Sequence, residues 1–185
     1  MTRDEVYSSV RLAGLVERYH AWPTIKRQTV AEHCWRAATI WSEVFDEIPP
    51  GHVYYRILHH DSGELFAGDV PFGAKQLVPG LHDRYKAAEA EGQARLKLRS
   101  VFPLSRVEQR RLKICDLLEM AEFACHEMQL GGGSYAHPIL EAVCAAIFKT
   151  AKPYECTLIM GWVEHNSITM PWRVDWTIEG ERCRT

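Results

Sequence analysis

Apolar residues recur close to every 3.6 positions over most of the chain, and that period predicts helices. Residues 3–17 carry Val6, Val10, Leu12, Leu15 and Val16 on one such stripe. The stretch "RYHAWPTIKRQ" at 18–28 breaks the pattern at Pro23 and is predicted as a loop. "TVAEHCWRAATIW" at 29–41 restarts a helix, with Thr29 and Glu32 spaced as a capping box. After "PPG" at 49–51, "VYYRILHHDSGELF" at 53–66 is predicted as one helix closed near Gly68 and Pro71. Residues 82–100 form a charged amphipathic helix, and Ser105 with Glu108 opens a long one over 106–128. "GGG" at 131–133 is the clearest breaker. One or two helices follow, "HPILEAVCAAIFKTA" and "YECTLIMGWVEH", before a tail, "TMPWRVDWTIEGERCRT", without helical period. Strand signals are weak, so the expected fold is an all-α helical bundle. No linker or repeat interrupts it. Residues 1–185 read as a single domain, with 134–185 a C-terminal helical extension and irregular tail.

Some polar residues sit where these stripes should be apolar. His33 shares its helix face with Val30, Ala37 and Ile40. Asp61 follows Ile57 and Leu58 and precedes Leu65, while His60 lies one turn before Glu64. Asp116 has Leu112 and Met120 four residues to either side and Phe123 at seven. Each alone has a plain explanation. A histidine can bond a carbonyl within a core, and Asp116 can pair with Lys113. Together they are harder to dismiss, because two inward carboxylates repel and are costly to bury. A divalent cation removes that cost. Imidazole and carboxylate donors suit Mn, Fe, Co, Ni or Zn.

Composition narrows the partners. The net charge of -2 comes from mixed signs, and no basic block suggests a nucleic-acid polymer as partner. No apolar run approaches membrane-spanning length. The start "MTRDEVYSSV" is polar and charged, unlike a signal peptide, which gives a cytoplasmic expectation. Six cysteines without a Cys-x-x-Cys pair read as reduced, buried thiols. The tail tryptophans Trp172 and Trp176 lie in a stretch that needs cover, which suggests a homo-oligomer, a dimer or higher.

The pattern His33, His60-Asp61, Asp116 resembles the HD-domain metal-dependent phosphohydrolases. The chain is similar in particular to bacterial 5′-deoxynucleotidases and to small phage deoxynucleoside triphosphate hydrolases, dATP triphosphohydrolases among them. The matching blocks are "RYHAWP" at 18–23, "VAEH" at 30–33, "HDSGE" at 60–64, "GDVPFGAK" at 68–75 and "KICD" at 113–116, in the family's order.

The resemblance implies an HD-domain bundle in which His33, His60, Asp61 and Asp116 hold one divalent metal. It implies Glu64 as general acid or base, one turn along from His60. Arg18, Lys75 and Lys113 match basic positions and would address phosphate. Asp69 would bind a sugar hydroxyl, or else cap a short helix after "GDVP". Tyr19 and Trp22 would stack on or wall the base, although the bacterial nucleotidases carry tryptophan directly after the arginine. For Trp22, packing under the loop is an equal alternative.

The implied activity is metal-dependent hydrolysis of deoxynucleotide phosphate esters. The first reading is a dNTP triphosphohydrolase, because three cations suit a longer phosphate chain. The second is a 5′-deoxynucleotidase acting on dNMPs. A nucleotide-binding regulatory module without turnover is the alternative of another class, and a set of ligands completed by Glu64 argues against it.

Overall fold

A computed structural model describes residues 3–70, 78–98, 103–166, 177–178 and 181–182 of the chain. Its described elements are helices α1 (Arg3–Ala13), α2 (Val30–Phe45), α3 (Gly51–His59), α4 (Glu64–Ala67), α5 (Leu81–Arg95), α6 (Arg106–Gln129), α7 (Gly133–Thr150) and α8 (Pro153–His165). Two short antiparallel pairs accompany them: β1 (Glu17–Arg18) with β2 (Gln28–Thr29), and β3 (Thr177–Ile178) with β4 (Glu181–Arg182). The helical expectation holds. The loop expected over 18–28 is also real, but its ends zip together, with Arg18 opposite Gln28. A ladder this short is set by the loop's closure, so alternation in the sequence cannot announce it.

The fold divides into two compact units, Met1–Ala38 with Pro50–Pro103, and Thr39–Pro49 with Leu104–Thr185. In the first, α1 and α5 both pack on the short α4. The start of α2 is stitched to the turn that follows α1 by Val30 N–H to Val16 O (2.9 Å) and Ala31 N–H to Gly14 O (3.0 Å). The expected capping box opens α2: Thr29 N–H donates to Glu32 Oε2 at 2.8 Å, and Glu32 N–H donates to Thr29 Oγ1 at 3.3 Å. Val30, Cys34, Ala37, Val53, Ile57 and Leu96 are buried there.

The segment 53–66 corrects the single helix expected of it. It is α3, then a turn over 60–63, then α4. Three-residue hydrogen bonds tighten this turn, Ser62 N–H to His59 O (3.2 Å) and Glu64 N–H to Asp61 O (2.9 Å). A helical period runs unbroken through such a turn, so the pattern alone does not reveal it.

In the second unit α6 and α7 form the main packed pair, joined by the short glycine turn. The capping box of Ser105 and Glu108 is present. Gly131 adopts a φ of 104°, a left-handed conformation that favours glycine. The helix after it begins at Gly133, four residues before the expected "HPILEAV" start. Trp41, Ile114, Leu118, Leu140 and Ile159 are fully buried or nearly so. The Trp162 indole donates to Glu43 at 2.6 Å, and Arg110 grips the fully buried Glu155 through Nε at 2.8 and 3.1 Å.

Cys34, Cys115, Cys125, Cys144 and Cys156 are free and buried, as expected of reduced thiols. Burial pushes the Cys125 and Cys144 thiols up to about 11, which keeps them protonated. Among the described residues no helix is long and apolar enough to cross a membrane. Cys183, Trp172 and Trp176 lie outside the described residues.

Candidate metal centre

The first turn of α2 places His33 fully inside, where its apolar stripe predicted it. The turn after α3 presents His60 and Asp61 to the same point. The two imidazole Nε2 atoms are 3.3 Å apart, with ring centroids at 5.2 Å. The Asp61 carboxylate lies against both, Oδ1 at 3.2 Å from His60 Nε2 and Oδ2 at 3.6 Å from His33 Nε2.

One contact decides the tautomer of His60. Its Nδ1 is 2.8 Å from the Ile57 carbonyl oxygen, which can only accept, so Nδ1 carries the proton. In the neutral ring Nε2 is then a bare lone pair aimed at His33 and Asp61. Metal-bound histidines are oriented in this way, by a carbonyl on the nitrogen that does not bind.

The electrostatics ask for positive charge at this point. Burial alone would lower the His60 pKa, but the Asp61 carboxylate and the Cys34 side chain together outweigh burial and push it up to about 9, with His33 opposing. A proton is thus held where a cation could sit. Two imidazole nitrogens and a carboxylate converging on one point fit a borderline divalent metal.

Glu64 begins α4 and is buried. Burial, followed by the charges of Asp61 and Asp69, pushes its pKa up to about 9, with Arg18 opposing. The Tyr85 hydroxyl donates to the Gly68 carbonyl and lies 3.5 Å from Glu64 Oε1, while Glu64 Oε2 has no hydrogen-bond partner among the described residues. A carboxyl held neutral at pH 7 with one oxygen unengaged is suited to proton transfer.

The expected substrate residues are partly in place. Arg18 is buried, and its Nη1 donates to Gln28 Oε1 at 3.1 Å across the β1–β2 pair. Its guanidinium carbon lies 5.1 Å from the Tyr19 ring centroid. Tyr19 is buried, and Trp22 is half-buried. Asp69 accepts the Tyr19 N–H at 2.8 Å, so this carboxylate holds the Arg18–Tyr19 loop. Lys75 falls outside the described residues. In the second unit, the Asp116 carboxylate accepts from Lys113 Nζ at 2.6 Å, the local pairing that their spacing allows. Lys113 is otherwise exposed and Asp116 half-buried.

Tyr85, Gln93 and Cys34 were not singled out from the sequence, yet each touches this region. Cys34 Sγ lies 3.9 Å from His60 Nδ1, and Gln93 Nε2 lies 2.6 Å from the His60 carbonyl. On α5 the buried residues are Tyr85 and Gly92, and the charged pattern of this helix gives no local signal that its Tyr85 and Gln93 reach the site.

Comparison with known proteins bears on what such a site does. The 5′-deoxynucleotidase YfbR-like family matches residues 7–114, more than half of the chain. The chain belongs to this family. The matched region includes His33, His60, Asp61 and Glu64 and stops two residues short of Asp116. A curated 5′-deoxynucleotidase of Vibrio atlanticus (strain LGP32) is 24% identical over 104 residues, which cover 52% of this chain and 54% of that protein. The match thus spans about half the length of this relative.

Two solved structures share the fold. The HD phosphohydrolase DatZ of cyanophage S-2L, bound to dA and one catalytic Zn2+ ion, has a TM-score of 0.63 at 20% identity, over 87% of this chain and 95% of that one. An HD-domain phosphohydrolase of Listeria innocua has a TM-score of 0.66 at 20% identity, over 92% of this chain and 88% of that one. The fold of this chain is the helical fold of these two HD-domain proteins.

Proposed function

We propose that the protein is a divalent-metal-dependent phosphohydrolase that cleaves the 5′ phosphate ester of a deoxynucleotide. The observation that carries this reading is the convergence of His33 Nε2, His60 Nε2 and the Asp61 carboxylate, with the His60 tautomer set by Ile57. The family match and the Zn2+ and dA of the DatZ structure support it.

Under this reading His33, His60 and Asp61 hold one divalent metal, and Asp116 on α6 is the fourth ligand by resemblance to the family. When bound, the metal would polarise the phosphate and lower the pKa of a water nucleophile. Glu64, neutral and with Oε2 unengaged, gives a proton to the departing sugar oxygen. Arg18 neutralises phosphate charge, and Lys75 and Lys113 are further candidates for that role. Tyr19 and Trp22 border the base, and Asp69 holds their loop or meets the sugar.

Attack at the α-phosphorus releases a deoxynucleoside whether one phosphate leaves or three. The dNTP reading stands first, because three cations, Arg18, Lys75 and Lys113, suit a longer phosphate chain. The 5′-deoxynucleotidase reading is second and rests on the family match and the Vibrio relative. The test is a panel of dNMPs, dNTPs and ribonucleotides with Mn, Co, Mg and Zn, its products resolved by chromatography. Orthophosphate with deoxynucleoside marks the monophosphatase, and tripolyphosphate with deoxynucleoside marks the triphosphohydrolase. No deoxynucleoside from any substrate would leave the regulatory module as the reading. A cytoplasmic homo-oligomer working as a single domain is part of the same proposal, and light scattering tests its assembly.

A further inference from the structure

Helix α5 lies against the turn that carries His60 and Asp61, backbone to backbone. A Cβ built on Gly63 would sit 2.3 Å from the Glu89 carbonyl oxygen, and one on Gly92 would sit 2.8 Å from the Gly63 oxygen. Both glycines are therefore required for space. Torsion is not the reason at Gly63, whose φ of -66° any residue adopts. The glycine of "HDSGE" is explained in this way by Glu89, more than twenty residues further along the chain.

This approach brings the Gln93 side chain to the end of α3. Gln93 Nε2 donates to the His60 carbonyl at 2.6 Å and lies 3.4 Å from the His59 carbonyl. The last carbonyls of a helix have no partner within it, and His60 is the C-cap of α3. An amide NH2 carries two donors and suits two neighbouring acceptors, whereas a carboxylate at the same place would only repel them. His60 is thus held twice, at its ring by Ile57 and at its main chain by Gln93.

We propose that Gln93 is a positioning residue of the metal centre, fixing through the His60 main chain the orientation of the turn that aims His60 and Asp61. The inference rests on the metal-site reading above. It assigns Gln93 no contact with metal or substrate.

The test uses Co2+ alone as probe, titrated into the metal-free protein and into Gln93→Met and Gln93→Glu. Methionine keeps the length and removes the donor. Glutamate keeps the shape and, ionised at pH 8, offers only acceptors. Both variants should bind Co2+ about 10–100-fold more weakly, the usual loss when an outer partner of a metal ligand is removed. The visible Co2+ spectrum should change as well, since the ligand angles relax. Wild-type affinity and spectrum in whichever variant keeps native far-UV dichroism would overturn the inference, even if its melting temperature fell, because Gln93 would then be only a packing residue. A wild-type protein that binds no Co2+, Zn2+ or Mn2+ would overturn the metal-site reading itself, and this inference with it.

Discussion

The main-chain N–H of Tyr19 donates to Asp69 Oδ2 at 2.8 Å, and Tyr19 has a φ of 59°. A left-handed tyrosine costs about 1–2 kcal/mol, so something must hold it there. A charge-assisted bond from a residue fifty positions away does so. Asp69→Ala should lose about 1.5–3 kcal/mol, the usual worth of a hydrogen bond to a charged group. It should also raise KM for the deoxynucleotide, as the loop with Arg18 and Tyr19 loosens. Urea unfolding and steady-state kinetics on one preparation read both, and an unchanged KM would separate the loop from the substrate.

His33→Ala and Asp61→Ala should each lose both bound metal and turnover. Either change opens the donor set around His60 Nε2. Elemental analysis of purified variants reads the metal directly, and full occupancy in both would remove these residues from the ligand set.

Glu64→Gln should keep the metal and lose rate by about 10²–10⁴-fold, the span typical of a general acid or base. Glutamine reproduces the neutral carboxyl that burial favours at this position, but it has no acidic proton to transfer. Near-normal kcat with normal metal content would make Glu64 a structural residue.

Gly63→Ala should destabilise the protein by about 3 kcal/mol, the upper range for forced overpacking. The obstacle is the Glu89 backbone, which cannot rotate away as a side chain can. Gly92→Ala should cost less. Helix propensity returns about 1 kcal/mol, and one of the crowding atoms belongs to the Phe66 side chain. Equal chemical-denaturation midpoints for wild type and Gly63→Ala would contradict this packing.

The Arg110–Glu155 pair gives a pH signature. Burial alone would raise the Glu155 pKa, but the hydrogen bonds from Arg110, the Lys152 N–H and Tyr154 together outweigh it and hold it below the ordinary value. A carboxylate depressed in the fold contributes stability that is present above its unfolded pKa of about 4.3. That contribution is lost as pH falls through the folded value. Arg110→Ala should therefore cost about 3 kcal/mol at pH 7, where it strands a buried charge, and clearly less near pH 3. Denaturation curves of both proteins at the two pH values test this, and a cost independent of pH would contradict the pairing.

Local rules made much of this protein legible in its sequence. The capping boxes at Thr29–Glu32 and Ser105–Glu108, the glycine break after α6 and the inward placing of His33 depend on residues within a turn or two of each other. The blocks around His33, His60-Asp61 and Glu64 named the family for the same reason, since a metal centre demands particular side chains at particular spacings. The tertiary structure alone decided the rest. It turned the expected helix at 60–63, where the α5 backbone packs closely against Gly63. It set the bond of Asp69 to the Tyr19 N–H and placed Gln93 on the His60 carbonyl. These contacts join residues thirty to fifty positions apart, and helical periodicity, which repeats every 3.6 residues, carries no information at that distance.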